Sequence, residues 1–330
     1  MSDIVISSRI RLARNLATFP FQRKLSRNRQ QDLVAQLATK VTKATAWPSP
    51  LTLQMTELSE VERAALVERQ LISRDLATGK RPAAVHVSPD ETCSLMINEE
   101  DHLRLQVITP GLSLRKGIEQ AVALDQSLEP HVEWAVHPQY GYLSACPTNT
   151  GTGLRASVML HLPALAETQE LRQVLRGLGK LHMTVRGLHG EGSEASGHYY
   201  QVSNQRSLGS TEQEIVDAIV ETVDKIVAYE ELARQALLDN NRPKLEDRAW
   251  RAWGLLTHAR TLTYDELIDQ LSWLRLGAAL AILPAQDWTV LDRIFLQGQP
   301  AHLQLQHDHA AIPEARDRLR ADLVRGWLLG

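Results

Sequence analysis

Apolar residues recur along most of the chain at one of two spacings, and each spacing predicts an element. Leu33, Val34, Leu37 and Val41 fall on one helical face, which predicts a helix over 28–43. The stretch Trp47-Pro48-Ser49-Pro50 ends it. Ser59 with Glu62, and Thr211 with Glu214, have capping-box spacing, so helices start at both places. The second continues through Ile215, Ile219, Val223, Ile226 and Val227 towards Leu238. Leu114, Ile118, Val122 and Leu124 predict a helix over 113–128, and further helices are expected over 155–166 and 171–178. Short β-prone runs at 4–6, 84–87, 94–97, 132–135, 141–145, 183–186 and 199–203 predict strands, and Leu103, Leu105 and Val107 alternate as another. Asp239-Asn240-Asn241-Arg242-Pro243 interrupts the long helix and places a domain boundary at about 235–243. Beyond it the chain reads as helical, over 264–276, 288–296 and 313–329, with Trp250 and Trp253 as core residues.

Bulk properties narrow the classes. A chain of 330 residues holds one large domain, or a large one and a smaller one. A net charge of −3 leaves no electrostatic footprint for nucleic acid. The two cysteines, Cys93 and Cys146, lack C-x-x-C spacing, which argues against a disulfide framework or a zinc knuckle and fits a reducing cytoplasm. No run approaches the ~20 apolar residues of a membrane span. A soluble cytoplasmic protein, with neither nucleic acid nor membrane as a partner, is expected.

Chemistry concentrates in 142–159, YLSACPTNTGTGLRASVM. Cys146, a Gly151-Thr152-Gly153 turn and Arg155 at an expected helix start suit a charged substrate and a phosphate. Arg9 and Arg11 lie two apart, so in an extended segment both point to one side, as a phosphate clamp or as a solvated basic edge. Glu99, Glu100 and Asp101 follow an apolar strand. Their mutual repulsion favours a metal, an arginine or a guanidinium beside them, unless the turn is simply solvated. His102 reads as structural. Four glycines in 187–197, with Glu191 and Glu194, make a backbone able to approach a ligand or act as a lid, against a plain hairpin connection. The arginines at 9, 11, 104, 155 and 186 each sit by a strand end or glycine turn. There is no P-loop, no Gly-rich loop followed by HRD and DFG, no Ser/His/Asp elbow, and no evident histidine partner for Cys146. An arginine cradle suits a triphosphate, and paired acids suit Mg2+ or a cationic nucleophile. The residues alone leave this as one of several readings.

The motifs SSRIRLARN (7–15), NEEDHLR (98–104), CPTNTGTGLRASVM (146–159), RGLHGEGSEASG (186–197) and QVSNQRSLG (201–209) resemble, in order, those of the ATP:guanidino phosphotransferase (phosphagen kinase) family, and specifically its bacterial protein-arginine kinases. The likeness covers about residues 4–230. It implies an α+β fold in which an antiparallel sheet is flanked by helices, as in glutamine synthetase. It implies a catalytic domain over 1–235 and an all-helical domain over 236–330. It also implies transfer of the ATP γ-phosphate to arginine side chains of proteins, marking them for degradation under stress, with Mg2+ as the accompanying ion.

Roles follow by resemblance. Ser7, Ser8, Arg9, Ile10 and Arg11 match a nucleotide-phosphate segment. Arg104, Arg155, Ala156, Ser157, Val158 and Met159 match further nucleotide contacts, as do Arg186, His189, Gly190, Glu191, Gly192 and Ser193. Glu100 and Glu194 match the carboxylates that hold the guanidinium, one as base; Glu99 matches an acid near Mg2+, and Cys146 a thiolate beside the guanidinium. Arg316-Asp317-x-x-Arg320-Ala321 resembles an RDxxRA motif implied to bind phosphoarginine as an allosteric site. Gln70 stands where the family usually has a histidine near the adenine, His189 where small-substrate members have a phosphate-binding arginine, and Thr150 replaces an aliphatic residue. The SSRIR segment begins at residue 7, which leaves no room for the N-terminal domain of small-guanidine kinases and points to protein substrates. A homodimer, a zinc-binding activator protein and a Clp-type protease are further implied partners. The alternatives are a kinase of a small free guanidine and an inactive adaptor that reads phosphoarginine through Arg316 and Asp317.

Overall fold

Two faces of one strand set the architecture. Along β1 (Val5–Arg14), Ile10 and Leu12 are wholly buried on one side, and Arg9 and Arg11 project from the other. The computed structural model describes residues 3–180, 182–187, 196–307 and 312–330. In chain order β1 is followed by α1 (Arg27–Thr45), β2 (Leu51–Gln54), α2 (Glu60–Glu68), α3 (Arg74–Thr78), β3 (Ala84–Val87), β4 (Cys93–Ile97) and β5 (Leu103–Pro110). Next come α4 (Leu114–Leu128), β6 (Val136–His137), β7 (Gly141–Tyr142), β8 (Leu154–His161), α5 (Pro163–Glu167), α6 (Leu171–Lys180), β9 (Met183–Gly187) and β10 (Tyr199–Asn204). The remainder is helical: α7 (Glu212–His258), α8 (Tyr264–Ala279), α9 (Trp288–Gln297), α10 (Pro300–Gln306) and α11 (Pro313–Leu329).

Among the described residues eight strands form one antiparallel sheet, ordered β2-β3-β4-β5-β1-β8-β10-β9, and β6 pairs with β7 separately. Ile10, Leu12, Leu105, Val107, Leu154, Ala156 and Val158 face the layer that holds α4 and α7, where they meet Ile118, Ala121, Ile219 and Val223. Each such Ile, Leu or Val contributes about 1.5–3 kcal/mol by burial. The opposite face of the central strands carries the charged residues. Both expected capping boxes form: Ser59 with Glu62 opens α2, and Thr211 with Glu214 opens α7.

Several expectations are corrected. Residues 155–166 do not form a helix; β8 spans Leu154–His161 and α5 starts only at Pro163. A central strand buried on both faces carries apolar residues on both sides, so its sequence loses the strict alternation that betrays a strand. The strand expected at 132–135 lies at Val136–His137, and that expected over 141–145 ends at Tyr142. β2 has no counterpart among the expected strands; its residues are exposed or half-buried, so no apolar pattern marks it. By contrast, the interruption expected over Asp239–Pro243 forms: the helical backbone breaks at Asn241 (φ −138°, ψ 24°), two residues before Pro243, whose ring cannot continue a regular turn, and a second helical stretch of α7 then runs to His258. Trp250 is 49% exposed rather than in the core, since its side of α7 faces outward, whereas Trp273 is buried.

The C-terminal helices pack on their own core of Leu256, Leu267, Leu271, Leu274, Leu291, Ile294, Ala321 and Val324. They also touch the sheet domain directly: Ile268 meets Met159 and Tyr199. Among the described residues no helix is long and apolar enough to cross a membrane.

Candidate active site

Antiparallel register gathers the arginines. Arg11 on β1 lies opposite Arg155 on β8, and Ala13 lies opposite Arg104 on β5. Directly opposed residues share a face, so these guanidinium groups converge although about 50 to 140 residues separate them in sequence. Arg186, on β9, joins them across β10 through its pairing with Gln201. They line a cavity of about 250 Å3 together with Glu99, Glu100, Cys146 and the segment Ser73-Arg74-Asp75. Arg9 projects from the same face of β1.

This cradle is electrostatically unfavourable by itself. Burial, reinforced by Arg155 and Arg104, lowers the Arg9 pKa to about 10. Burial, then Arg9, Arg104 and Arg155, lowers Arg11 well below the usual arginine range, with Glu99 opposing. The Nε atoms of Arg9 and Arg11 are buried without a hydrogen-bond partner. Like charges held close with donors left over form a site that a polyanion stabilises.

The acids divide their work. Glu99 is buried; its Oε1 accepts from Ser73 Oγ at 2.6 Å and Arg104 Nη1 at 2.8 Å, and its Oε2 from the Glu100 amide at 2.6 Å. Glu100 is half-buried and accepts from Arg104 Nη2 at 3.1 Å through Oε2; among the described residues its other oxygen has no hydrogen-bond donor. Burial raises its pKa, Arg104 opposes, and Asp101 and Glu99 add to the rise. Asp101 turns away from the cavity. It accepts from Asn15 Nδ2 at 2.7 Å, Ser144 Oγ at 2.9 Å and the Ala145 amide at 2.8 Å, and thereby holds the backbone leading to Cys146. Cys146 Sγ lies 3.0 Å from Thr148 Oγ1 at the cavity wall.

The turn after Cys146 needs glycine for packing. Gly151 has φ +117°, and a Cβ there would come within 2.8 Å of the Leu208 Cα. Gly153 has φ +71°, and a Cβ would meet the Ala13 carbonyl oxygen at 2.6 Å. Arg14 anchors the turn from below. It donates to Asp125 from Nε at 2.9 Å and Nη2 at 2.6 Å, to the Thr152 carbonyl at 3.0 Å, and lies over the Tyr142 ring at 3.4 Å. The segment therefore enters a strand, not a helix, and the expected helix-start phosphate site is absent from it.

Of the residues expected in the site, Arg11, Glu99, Glu100, Arg104, Cys146, Arg155 and Arg186 meet at the cavity. Ile10, Ala156 and Val158 point into the core on the far side of the sheet. Ser8 is buried; its Oγ donates to the Gly111 carbonyl at 2.7 Å and accepts from the Ser113 amide at 2.9 Å. Ser7 pairs with Met159, and Ser157 accepts from Gln201 Nε2 at 2.8 Å. Gln70, two residues past the end of α2, has φ +59°, and its carbonyl accepts from Gln106 Nε2 at 2.6 Å. His102 is structural: Nδ1 accepts from the Leu16 amide at 3.1 Å and Nε2 lies 2.9 Å from the Pro20 carbonyl oxygen. His189, Gly190, Glu191, Gly192, Ser193 and Glu194 lie outside the described residues.

The RDxxRA segment opens α11. Arg320 is 1% exposed and donates to the carbonyls of Gly298 and Leu262, both at 2.7 Å, and to Asp317 Oδ1 at 2.5 Å. Ala321 is buried, and Arg316 and Asp317 are half-buried. Sequence reasoning missed the wall Ser73–Asp75, the Arg14–Asp125 pair and the holding role of Asp101. Only Asp101 carried a signal, as the third acid after an apolar strand.

The comparisons with known proteins agree with this geometry. Residues 33–233 match the family model described as ATP:guanido phosphotransferase, C-terminal catalytic domain, and residues 242–329 match the protein-arginine kinase McsB C-terminal domain. The chain is 45% identical to the protein-arginine kinase of Moorella thermoacetica, covering 100% of this chain and 95% of that one. It is 42% identical to that of Desulforamulus reducens, covering 98% and 92%. Among solved structures, the duplicated taurocyamine kinase of Schistosoma mansoni superposes with a TM-score of 0.62 at 25% identity, over 75% of this chain and 37% of that one. A lombricine kinase superposes with a TM-score of 0.59 at 23% identity, over 70% and 67%, which supports the fold. An antiparallel sheet flanked by helices, an arginine-lined cavity with paired acids and a thiol, and full-length likeness all lead to one assignment: the chain belongs to the ATP:guanido phosphotransferase family, among its protein-arginine kinases.

Proposed function

We propose that this protein transfers the γ-phosphate of ATP to arginine side chains of proteins. The observation that carries the reading is the single cavity in which Arg11, Arg104, Arg155 and Arg186 face Glu100 and Cys146. Phosphoryl transfer is chiefly alignment of the two reactants and cancellation of charge on the moving group. The arginines bind the phosphates and neutralise that charge. Glu100, with an oxygen free of Arg104 and a raised pKa, orients the incoming guanidinium and takes a proton from it. The freed nitrogen lone pair attacks the γ-phosphorus, and the bond to the bridging oxygen of ADP breaks. Cys146 places its sulfur beside the guanidinium, and Glu194 supplies the second carboxylate.

Mg2+ belongs to this reading as an ion carried mainly by phosphate oxygens and water, which is its usual habit. Glu99, expected beside it, already accepts from Ser73, Arg104 and the Glu100 amide, and among the described residues no cluster of three or more His, Cys, Asp or Glu could hold a metal ion. Glu99 therefore acts first as the anion that holds Arg104.

The division into units at 1–235 and 236–330, a cytoplasmic location, a homodimer, the zinc-binding activator, the Clp-type protease and a part in stress-linked degradation rest on family resemblance. An inactive adaptor that reads phosphoarginine through Arg316 and Asp317 is the weaker reading, because the arginines, acids and thiol suited to phosphoryl transfer line one cavity.

The test is phosphoamidate mass spectrometry after incubation with ATP and an arginine-rich protein, in parallel with free arginine. Phosphoarginine on protein with little turnover of free arginine is the expected result. Turnover of free arginine alone would make the protein a small-guanidine kinase, and no phosphoarginine on any substrate would sink the reading.

A further inference from the structure

Outside the cavity, one carboxylate joins the helical domain to the wall of the site. Glu68 ends α2 in the sheet domain, yet its side chain is bonded wholly to α10. Oε1 accepts from the Ala301 amide at 2.8 Å. Oε2 accepts from the His302 amide at 3.0 Å and lies 2.7 Å from His302 Nδ1. Both side chains are largely shielded, at 14% and 12% exposure, so water competes weakly for the contact.

The chain on either side of this clamp leads to the cavity. Two residues on, Gln70 adopts φ +59°, an unusual backbone for a residue with a side chain, and its carbonyl is held by Gln106, the cross-strand partner of Arg11. Leu71 and Ile72 are buried. Ser73 then donates to Glu99 Oε1, and Glu99 holds Arg104, which in turn touches Glu100. Ser73, Arg74 and Asp75 are themselves cavity wall. On the far side, α10 is fixed by Arg320, which donates to the Gly298 carbonyl just before the helix and to the Leu262 carbonyl just before α8.

We infer that Glu68 is a positioning residue through which the C-terminal helical domain sets the wall of the nucleotide-phosphate site, along the path Arg320, α10, Glu68, Ser73, Glu99 and Arg104. Every link is a hydrogen bond or a short run of ordered chain. The helical domain is thus a working part of the catalytic unit, and Arg320 acts as its internal fastening. The inference rests on the cavity being the nucleotide site, as proposed above.

The experiment measures ADP affinity of the full chain by titration calorimetry, so it needs no arginine phosphorylation and fails separately from the kinase reading. The stoichiometry reports the folded fraction independently of affinity. Glu68→Gln and Ser73→Ala are each expected to weaken ADP about fivefold, and the double variant no more than the weaker-binding single, since coupled residues on one path are non-additive. Glu167→Gln is the control. It removes the charge that pairs with Lys244 and Arg248, another link between the sheet domain and the far half of α7; Glu167 does not line the cavity, and the change should leave ADP affinity unchanged. Unchanged affinity in Glu68→Gln, additive effects in the double variant, or an equal loss in the control would overturn the inference.

Discussion

The Ser144 hydroxyl lies 3.0 and 2.9 Å from the two carboxylate oxygens of Asp101, and Ser144 Oγ itself accepts the amide of Cys146 at 3.2 Å. The thiol is therefore placed by a carboxylate that never faces the cavity. Asp101→Asn keeps the volume but presents an amide to donors. We expect a loss of about 1–3 kcal/mol in urea unfolding, because buried donors lose their acceptor. Turnover should fall about tenfold, since small displacements of a reacting constellation are costly.

Cys146 lines the cavity, and its sulfur lies 3.0 Å from the Thr148 hydroxyl. Cys146→Ser preserves a hydrogen-bonding group while removing the thiol acid. Phosphorylation should drop by about 10²-fold, the scale for losing one electrostatic contact to a transition state. The unfolding midpoint should stay within error of the wild type. Unchanged turnover would remove the sulfur from the mechanism.

Glu100 yields a prediction with a definite sign. Its pKa is raised, chiefly by burial, so the folded state disfavours the ionised form. At neutral pH this group therefore detracts from stability, and the penalty is relieved as pH falls through its raised value towards the ordinary carboxylate range. Activity runs the opposite way, because the base must be ionised: the acid limb of the rate profile should lie above an ordinary glutamate pKa of about 4.3. Glu100→Gln should remove activity by at least ~10²-fold while melting no lower than the wild type.

Arg14 and Asp125 form a buried pair that also fastens the glycine turn. Asp125→Ala leaves a buried guanidinium unpaired, so a loss of about 3–5 kcal/mol is expected in chemical denaturation. Nearly normal stability would mean that the pair is dispensable to the fold.

Much of this was legible because local chemistry and tertiary structure agree. Ser59 with Glu62 and Thr211 with Glu214 announce helix starts that form as written. Arg9 and Arg11 announce a common face. β8 was illegible for a physical reason: Ala156, Val158 and Leu160 serve the core, but Met159, on the face of Arg155 and Ser157, is apolar and buried too, so the alternation fails over Val158–Leu160. Residues that act across space rather than along the chain were also hidden. Asp125 meets Arg14 across 111 positions, and Glu68 meets Ala301 across 233. No local pattern encodes those meetings.

The place of β1 between β5 and β8 governs how the protein can be made. A nascent chain leaving the ribosome presents Ile10 and Leu12 long before Leu154 can cover them. At typical synthesis rates that wait is roughly 10–30 s. During it the side of β1 that β8 will pair with remains an open edge, even once β5 is in place on the other side. A site built from the middle of a sheet thus comes into being late: β8 must pair with a strand synthesised some 140 residues earlier, and β9 brings Arg186 later still.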